Sequence, residues 1–372
     1  MVKTRTYSIV LTGGGTAGHV LPHFALVPQL RDKFSTINYI GSKDGIERNL
    51  VEGEQIQFHG VTCVKFRRGL SVRNIARNIS IPMKLSKGIK ESKCLLEKLR
   101  PDVVFSKGGF VAYPVVRAAA RLGIPVVAHE SDMTLGLANK MSVRYCQKVC
   151  TTFEKTVLKD STKFIHTGAP IRAKIYKGNK DTVTKRHHLP QARNLLVMGG
   201  SLGAMRVNTA VRTALPLLLE NYNVIHICGK GKAEQVASDK GKLTRESGQR
   251  TQYIQLEYAD DIENYLAWAD IVVSRAGSGA LCELMALGKP TLFIPLSTGR
   301  GDQIDNADEA LRFNAASVLH EAELTADKLV SYLDDVWVRK EDISQNTAKV
   351  VVDGTRAIVD VICDTITSGK SR

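Results

Sequence analysis

The chain has 372 residues, 43% hydrophobic and 24% charged, a composition that excludes disordered and fibrous classes and leaves room for two domains with separate cores. No apolar stretch reaches the roughly 20 uncharged residues of a spanning helix, and Met1-Val2-Lys3-Thr4-Arg5 leads straight into a strand-like run, so neither a membrane-spanning nor a secreted protein is expected. The formal net charge of +15, from 52 Lys+Arg against 37 Asp+Glu, favours an anionic partner: nucleic acid, a phosphorylated substrate or anionic lipid.

In chain order, a strand-like run at 7–11 is followed by a helical pattern over 19–31. Further strand-like runs stand at 37–40, 102–106, 124–128 and 148–152, with helical patterns between most of them. Such alternation predicts a parallel, doubly wound α/β sheet. After the turn-rich His166-Thr167-Gly168-Ala169-Pro170 and the polar stretch 177–193, the pattern begins again. Residues 194–198 form a strand feeding Gly199-Gly200-Ser201-Leu202-Gly203, a helix follows over 204–219, and more strands are expected at 223–227, 270–274 and 291–295. The second half is a second α/β unit, without a short tandem repeat. Ligands of such sheets bind beyond the carboxyl ends of the strands, so functional residues belong in the strand-to-helix loops and two facing units imply a cleft.

The first such loop is Gly13-Gly14-Gly15-Thr16-Ala17-Gly18-His19. Gly13, Gly15 and Gly18 satisfy the dinucleotide-binding spacing, which raises a dehydrogenase reading. The acidic ribose ligand of that fingerprint is missing, because strand two stops at Gly41-Ser42. Backbone N–H groups at the following helix start suit any phosphate or diphosphate. His19, at the loop-to-helix junction, is either a base kept neutral by the helix N-terminus or a packing residue. His23, one turn later, reads as a helix-face residue.

Two later segments carry candidates of the same kind. Ser274 to Glu283 joins a strand to a helix through Gly277 and Gly279, and Glu283 can accept hydrogen bonds from two neighbouring ribose hydroxyls or merely favour the helix dipole. Arg300-Gly301-Asp302-Gln303-Ile304-Asp305-Asn306 puts polar groups after the strand ending at Pro295. Gln303 can donate to and accept from a sugar hydroxyl, although the run also reads as a solvated helix start. The seven cysteines are odd in number and scattered, a pattern of reduced thiols. Cys146 and Cys150 stand four apart, but no second Cys/His pair completes a zinc site, and no Asp-x-Asp tripeptide occurs, so no metal is expected.

Taken together these residues resemble the MurG family of undecaprenyldiphospho-muramoylpentapeptide β-N-acetylglucosaminyltransferases. The likeness spans nearly the whole chain. Its carriers are the Gly13–His19 loop, Ser106-Lys107-Gly108-Gly109-Phe110, His129-Glu130-Ser131-Asp132, Gly168-Ala169-Pro170-Ile171-Arg172, Met198-Gly199-Gly200-Ser201-Leu202-Gly203, the segment Ser274 to Glu283, and Gly301-Asp302-Gln303-Ile304-Asp305-Asn306-Ala307. Each is weak alone; their order and spacing are specific. The run His129-Glu130-Ser131-Asp132 is similar to that of a Gram-positive subgroup.

The resemblance implies two Rossmann-like α/β domains of GT-B type facing a cleft. Residues 1–165 would form the acceptor and membrane-facing domain, 166–345 the UDP-sugar-binding domain, and 346–372 a C-terminal helix packing back on the first. It implies transfer of N-acetylglucosamine from UDP-N-acetylglucosamine to the C4 hydroxyl of the muramic residue of lipid I, with inversion, giving lipid II. It further implies no cofactor, no nucleic acid, and a peripheral place on the cytoplasmic side of an anionic cell membrane. Carried over residue by residue, Thr16, Ala17 and Gly18 approach the donor sugar, Arg172 and Ser201 the diphosphate, Glu283 the ribose and Gln303 the sugar hydroxyls. Tyr258-Ala259 matches the uracil-contacting loop. Ala17 stands where many relatives have glycine, and Asp132 where many have asparagine; a negative charge facing a diphosphate would be repelled. His19 is the expected general base, with Glu130 as the competing candidate.

Between Lys65 and Arg100 eleven basic residues stand against Glu91 and Glu97, an excess of nine. Val72, Ile75, Ile79 and Met83 recur at helical spacing, with Pro82 expected to interrupt the helix. A cationic stretch with an apolar stripe suits an anionic bilayer surface, whereas the alternative is core packing with a solvated charged face. Other readings are another inverting nucleotide-sugar transferase or a UDP-sugar epimerase on the same scaffold, and a nucleic-acid-binding module. The last lacks aromatic residues in the basic stretch beyond Phe66 and leaves both glycine loops unexplained.

Overall fold

Short β-branched runs alternate with helices throughout, and in the computed structural model they close into two α/β units. The structure describes residues 7–65, 80–156, 161–200, 203–234, 242–244, 250–298 and 300–368. The first unit comprises residues 1–172 and 353–372. Among the described residues its strands are β1 (Tyr7–Thr12), β2 (Phe34–Ser42), β3 (Gln57–Val61), β4 (Val103–Ser106), β5 (Val126–Glu130), β6 (Lys148–Thr151) and β7 (Phe164–His166). They lie in the order β3-β2-β1-β4-β5-β6-β7, all parallel. Because side chains alternate along a strand, Ile9 and Leu11 of β1 join a core on one face with Leu26, Leu30, Ile358 and Ile362, and Val10 joins the opposite core with Val104, Val116 and Leu96.

The first unit continues to Arg172 instead of ending at 165, and is rejoined at Asp353 instead of 346. Two local causes are visible. β7 is an integral strand of the first sheet, and Ala169 pairs with Asp353 while the Ile171 N–H donates to Thr355 Oγ1 at 3.0 Å. The helix Thr355–Ser368 then lays Ile358, Ile362 and Ile366 into the core that also holds Leu26 and Leu30.

The second unit comprises residues 173–352, with β8 (Arg193–Met198), β9 (Tyr222–Ile227), β10 (Lys242–Thr244), β11 (Arg250–Leu256), β12 (Ile271–Ser274), β13 (Thr291–Phe293) and β14 (Ser317–Val318). Their order is β10-β11-β9-β8-β12-β13-β14. All pairs are parallel except β10 with β11. The carboxyl ends of β8, β9, β11, β12 and β13 therefore share one edge, where a ligand of such a sheet binds.

Pro82 does not interrupt a helix; it lies in the first turn of the helix Ile81–Leu99. Proline is tolerated there because the N–H it lacks would have had no partner inside the helix. Likewise the helix expected from residue 19 begins as Leu21–Lys33, after a short 3₁₀ turn Ala17–His19. Among the described residues no helix is long and apolar enough to cross a membrane.

Candidate active site

In the first unit the glycine loop leaves β1 and packs on the loop after β4. A Cβ on Gly15, whose φ is 88°, would lie 2.3 Å from the Phe110 ring, and one on Gly109, with φ 76°, would lie 2.3 Å from the Gly14 carbonyl. Only glycine meets both demands, left-handed backbone and no side chain. Tyr39 anchors the loop from below by donating its hydroxyl to the Gly13 carbonyl at 2.9 Å. Above it, Thr16 and Gly18 are exposed and Ala17 and His19 half-buried. Thr16 Oγ1 lies 2.8 Å from His19 Nδ1. His23 faces the interior: it is fully buried, edge-on to Tyr39 and Phe105, and burial, reinforced by Lys107, pushes its pKa down to about 3. It is a neutral core residue.

The carboxylate missing from the end of strand two is supplied from further along the chain. Glu47, at the start of the helix Glu47–Gly53, turns back so that Oε1 accepts the Ser42 N–H at 2.7 Å. A Cβ on Gly14 would come within 2.8 Å of its carboxyl carbon, and the side chain is sealed from solvent. A carboxylate so enclosed cannot grip the ribose of a dinucleotide.

Lys107, following β4, is buried and donates to His129 Nδ1 at 2.6 Å and to Ser131 Oγ at 2.5 Å. An ammonium has no lone pair, so His129 Nδ1 is the acceptor and Nε2–H donates to the Gly168 carbonyl at 3.1 Å. Burial and the Lys107 charge keep this imidazole neutral, with a pKa well below the ordinary value. Glu130, the end of β5, is also buried. Its Oε1 accepts from the Ser131 and Asp132 N–H groups at 2.9 and 3.2 Å, and its Oε2 from the Gly136 N–H and Asn139 Nδ2 at 2.8 and 2.9 Å. Burial, then the Asp132 charge, hold the carboxyl above its usual value. With three backbone donors of the following loop and Asn139 of the helix Leu137–Ser142 converging on it, Glu130 shapes that loop and presents no open oxygen to a substrate hydroxyl. Asp132 is half-buried, and its carbonyl accepts from Thr156 Oγ1 at 3.2 Å. Arg172, half-buried, is the last residue of the first unit's leading segment.

In the second unit, Gly199 and Gly200 follow β8 and precede the helix Met205–Leu218; Ser201 lies outside the described residues. Gly203 packs so closely on the next loop that a Cβ would lie 2.1 Å from the Cys228 carbonyl. The same carbonyl accepts from Asn208 Nδ2 at 2.9 Å, and Asn208 Oδ1 accepts from His226 Nε2 at 3.0 Å. Ala259 is half-buried after β11, beside the 67% exposed Tyr258. Glu283, half-buried, sits in the helix Ser278–Ala286 after β12. Gln303, in the first turn of the helix Asp302–Arg312, accepts the Leu296 N–H on Oε1 at 3.0 Å, leaving its amide N–H₂ as the donor end.

The loops that lead into the helices of Glu283 and Gln303 are joined by a buried ion pair that the sequence did not announce. Arg275 donates to Glu321 Oε1 at 2.5 Å and to the Ile294 carbonyl at 2.9 Å, and Ser297 Oγ donates to Glu321 Oε2 at 3.1 Å. Among the described residues no cluster of His, Cys, Asp and Glu is arranged to hold a metal ion.

Comparison with known proteins matches both halves. Residues 9–151 fit the glycosyltransferase family 28 N-terminal domain and residues 194–362 its C-terminal domain. The chain belongs to glycosyltransferase family 28. Within this family it is 45% identical over 337 residues to the UDP-N-acetylglucosamine–N-acetylmuramyl-(pentapeptide) pyrophosphoryl-undecaprenol N-acetylglucosamine transferase of Lachnoclostridium phytofermentans, covering 88% of this chain and 90% of that protein. It is 42% identical over 360 residues to the protein of the same name from Clostridium kluyveri, covering 95% and 98%. The fold matches crystalline MurG of Acinetobacter baumannii with a TM-score of 0.75 at 24% identity, over 96% of this chain and 99% of that one. Family 28 membership makes the chain a glycosyltransferase, with a fold of GT-B type, and removes the dehydrogenase reading of the first glycine loop. In the sequence Lys107 stands out only as part of the Ser106–Phe110 run, and Glu47 and Glu321 not at all: Lys107 meets His129 across 22 residues and Glu321 meets Arg275 across 46, while Glu47 returns to Ser42, five residues back, through a turn that no motif marks.

Proposed function

We propose that this chain transfers N-acetylglucosamine from UDP-N-acetylglucosamine to the C4 hydroxyl of the muramic residue of lipid I, giving lipid II for peptidoglycan synthesis. The single observation that carries this is near-full-length similarity to transferases of that name. In the reaction the hydroxyl oxygen attacks the anomeric carbon, the bond from that carbon to the diphosphate oxygen breaks, and UDP leaves with the bonding pair; the α linkage becomes β. The hydroxyl proton goes to His19. With Nδ1–H donating to Thr16 Oγ1, 2.8 Å away, the Nε2 lone pair is the base. Glu130 is the loop anchor, since its oxygens already accept four hydrogen bonds.

In this reading Thr16, Ala17 and Gly18 approach the donor sugar, and Arg172 and Ser201 meet the diphosphate together with the N-terminus of the helix Met205–Leu218. Glu283 accepts from the ribose hydroxyls, the Gln303 amide donates to a sugar hydroxyl, and Ala259 lies against the uracil. Radiolabelled donor assayed with lipid I, with water and with simple sugars tests the reaction: label should enter lipid product only when lipid I is present. Conversion of the donor to a different UDP-sugar without acceptor would make the protein an epimerase instead. Glu283→Ala should raise KM for UDP-N-acetylglucosamine about tenfold or more, the loss of charge-assisted hydrogen bonds worth roughly 1.5–3 kcal/mol. An unchanged KM would remove Glu283 from the ribose.

The acceptor is lipid-linked, and the helix Ile81–Leu99 supports docking on an anionic membrane. It buries Ile89 and Leu96 in the first unit and exposes Lys84, Lys87, Lys90 and Lys93, with Met83 80% exposed near its start. Val72, Ile75, Ile79, Arg67, Arg68, Arg73 and Arg77 of the same stretch lie outside the described residues. Reversing Lys84, Lys87 and Lys90 to Glu should abolish binding to phosphatidylglycerol-containing vesicles at low salt, because each basic residue near such a surface contributes about 1 kcal/mol. Retained binding would exclude this helix from the membrane face.

A further inference from the structure

The segment 257–261 between β11 and the helix Ile262–Trp268 carries Ala259, and an unusual cap holds it in place. Asp261 occupies the N-cap of that helix, where an aspartate ordinarily accepts a backbone N–H of the first turn. Here its side chain makes no such bond. It is turned instead onto the guanidinium of Arg186, from the helix Lys180–His187, in a two-pronged pair: Nη1 to Oδ1 at 3.1 Å and Nη2 to Oδ2 at 2.7 Å.

The pair is braced on both sides. Arg186 Nη1 also donates to the Tyr265 hydroxyl at 3.0 Å, and Asn264 Nδ2 donates to Asp261 Oδ2 at 2.9 Å. One residue before the cap, the Asp260 carbonyl accepts from Lys174 Nζ at 3.4 Å, and that ammonium is paired with Glu263 at 3.0 Å. Asn264 Oδ1 accepts the Asn179 N–H at 2.8 Å. Parallel forked bonds fix direction as well as distance, which a single cap bond does not. Arg186, then Asn264, hold the Asp261 carboxyl down to about 2, so the fork stays charged throughout the physiological pH range.

We propose that Arg186 and Asp261 form a positioning clamp for the donor's nucleobase: the fork sets the backbone of Tyr258 and Ala259 so that their peptide groups meet the uracil edge. The inference rests on the placement of Ala259 at the uracil given above. The clamp touches no reacting atom, so it acts on binding and base selectivity and leaves the chemical step alone.

The test is calorimetric titration of the full chain with UDP, CDP and inorganic pyrophosphate, together with steady-state kinetics, for Arg186→Met, Asp261→Ala, Arg186→Lys and Ala259→Arg. Arg186→Met and Asp261→Ala should each weaken UDP about three- to tenfold, the scale of one well-formed but partly exposed forked pair, and raise KM for the sugar donor alike. Preference for UDP over CDP should shrink, pyrophosphate affinity should stay level, and kcat should hold within about twofold. Arg186→Lys should restore part of the loss, because a point charge keeps the attraction without the fork. A merely structural role would lower the melting temperature without changing the UDP-to-CDP ratio; that result overturns the clamp. If Ala259→Arg leaves UDP binding unchanged, the loop is not at the nucleobase and the clamp falls with it. If Ala259→Arg weakens UDP but Arg186→Met and Asp261→Ala do not, only the clamp is wrong.

Discussion

Replacing His19 by alanine is expected to lower kcat by about 10²- to 10⁴-fold, the range of a positioned general base, with UDP affinity and the unfolding transition close to those of the parent. Selectivity for kcat follows from where the residue sits. His19 closes the 3₁₀ turn Ala17–His19 and is half-buried, so its ring carries little of the core. The neighbouring histidines cannot replace it: His23 is sealed behind Tyr39 and Phe105, and His129 has both ring nitrogens engaged, by Lys107 and the Gly168 carbonyl. Thr16→Val should give a smaller loss in kcat, since it removes the oxygen that fixes ring orientation while leaving Nε2 intact. Single-turnover measurement of label transfer to lipid I separates the chemical step from product release. Near-normal turnover of a folded His19→Ala protein would transfer the base role elsewhere.

The second large effect is expected at Arg275. Arg275→Met should destabilise the second unit by about 3–5 kcal/mol, because it leaves the Glu321 carboxylate buried without its cation. The pair has side-chain exposures of only 10% and 5%. Arg275→Met combined with Glu321→Leu should recover much of that loss, as replacing both charges leaves no orphan. Both tryptophans of the chain, Trp268 and Trp337, lie in the second unit, so urea unfolding followed by tryptophan fluorescence reads that unit directly. Burial would raise the Glu321 carboxyl, but the Arg275 and Ser297 hydrogen bonds and the Arg275 charge outweigh it and hold the group below its ordinary value. A lowered folded value means that the contribution is present above the ordinary carboxylate range and is lost as pH falls through the folded value. The parent protein should therefore lose stability on acidification, and the double variant should lose less. A single variant as stable as the parent would show that the pair is inert.

The pair also bears on function. Arg275 opens the loop leading to Glu283 and reaches the Ile294 carbonyl, while Ser297, on the loop leading to Gln303, is held by the same Glu321. Asn306 adds a third tie, donating to the Ala276 carbonyl at 3.2 Å. Folded variants that disturb this junction should raise KM for the donor, since both proposed sugar and ribose contacts hang from it.

The first glycine loop shows how far local pattern reaches. Its spacing between strand and helix was legible, because a backbone passing this close to Phe110 and the Ser106–Phe110 loop requires glycine whatever the rest of the chain does. Its chemistry was ambiguous, because the fingerprint describes a backbone shape shared by dinucleotide and sugar-nucleotide proteins. The absence of an acid at Gly41-Ser42 pointed away from a dehydrogenase, yet an acid is there in space: Glu47 folds back onto Ser42 and is sealed under the loop.

The sequence by itself determined the two α/β units, the strand ends at which candidate residues gather, and the family, since all of these rest on periodicity, glycine placement and the order of short motifs. Only the tertiary structure decided which ionisable groups are available and which are engaged. Glu47, Glu130, Glu283 and Glu321 are indistinguishable as letters; one is sealed, one is surrounded by four N–H donors, one stands half-exposed on a helix, and one is paired with an arginine. The physical reason is that desolvation and pairing depend on neighbours in space. Lys107 meets His129 across 22 residues, Arg275 meets Glu321 across 46, and Arg186 meets Asp261 across 75, separations over which no local pattern records the partner.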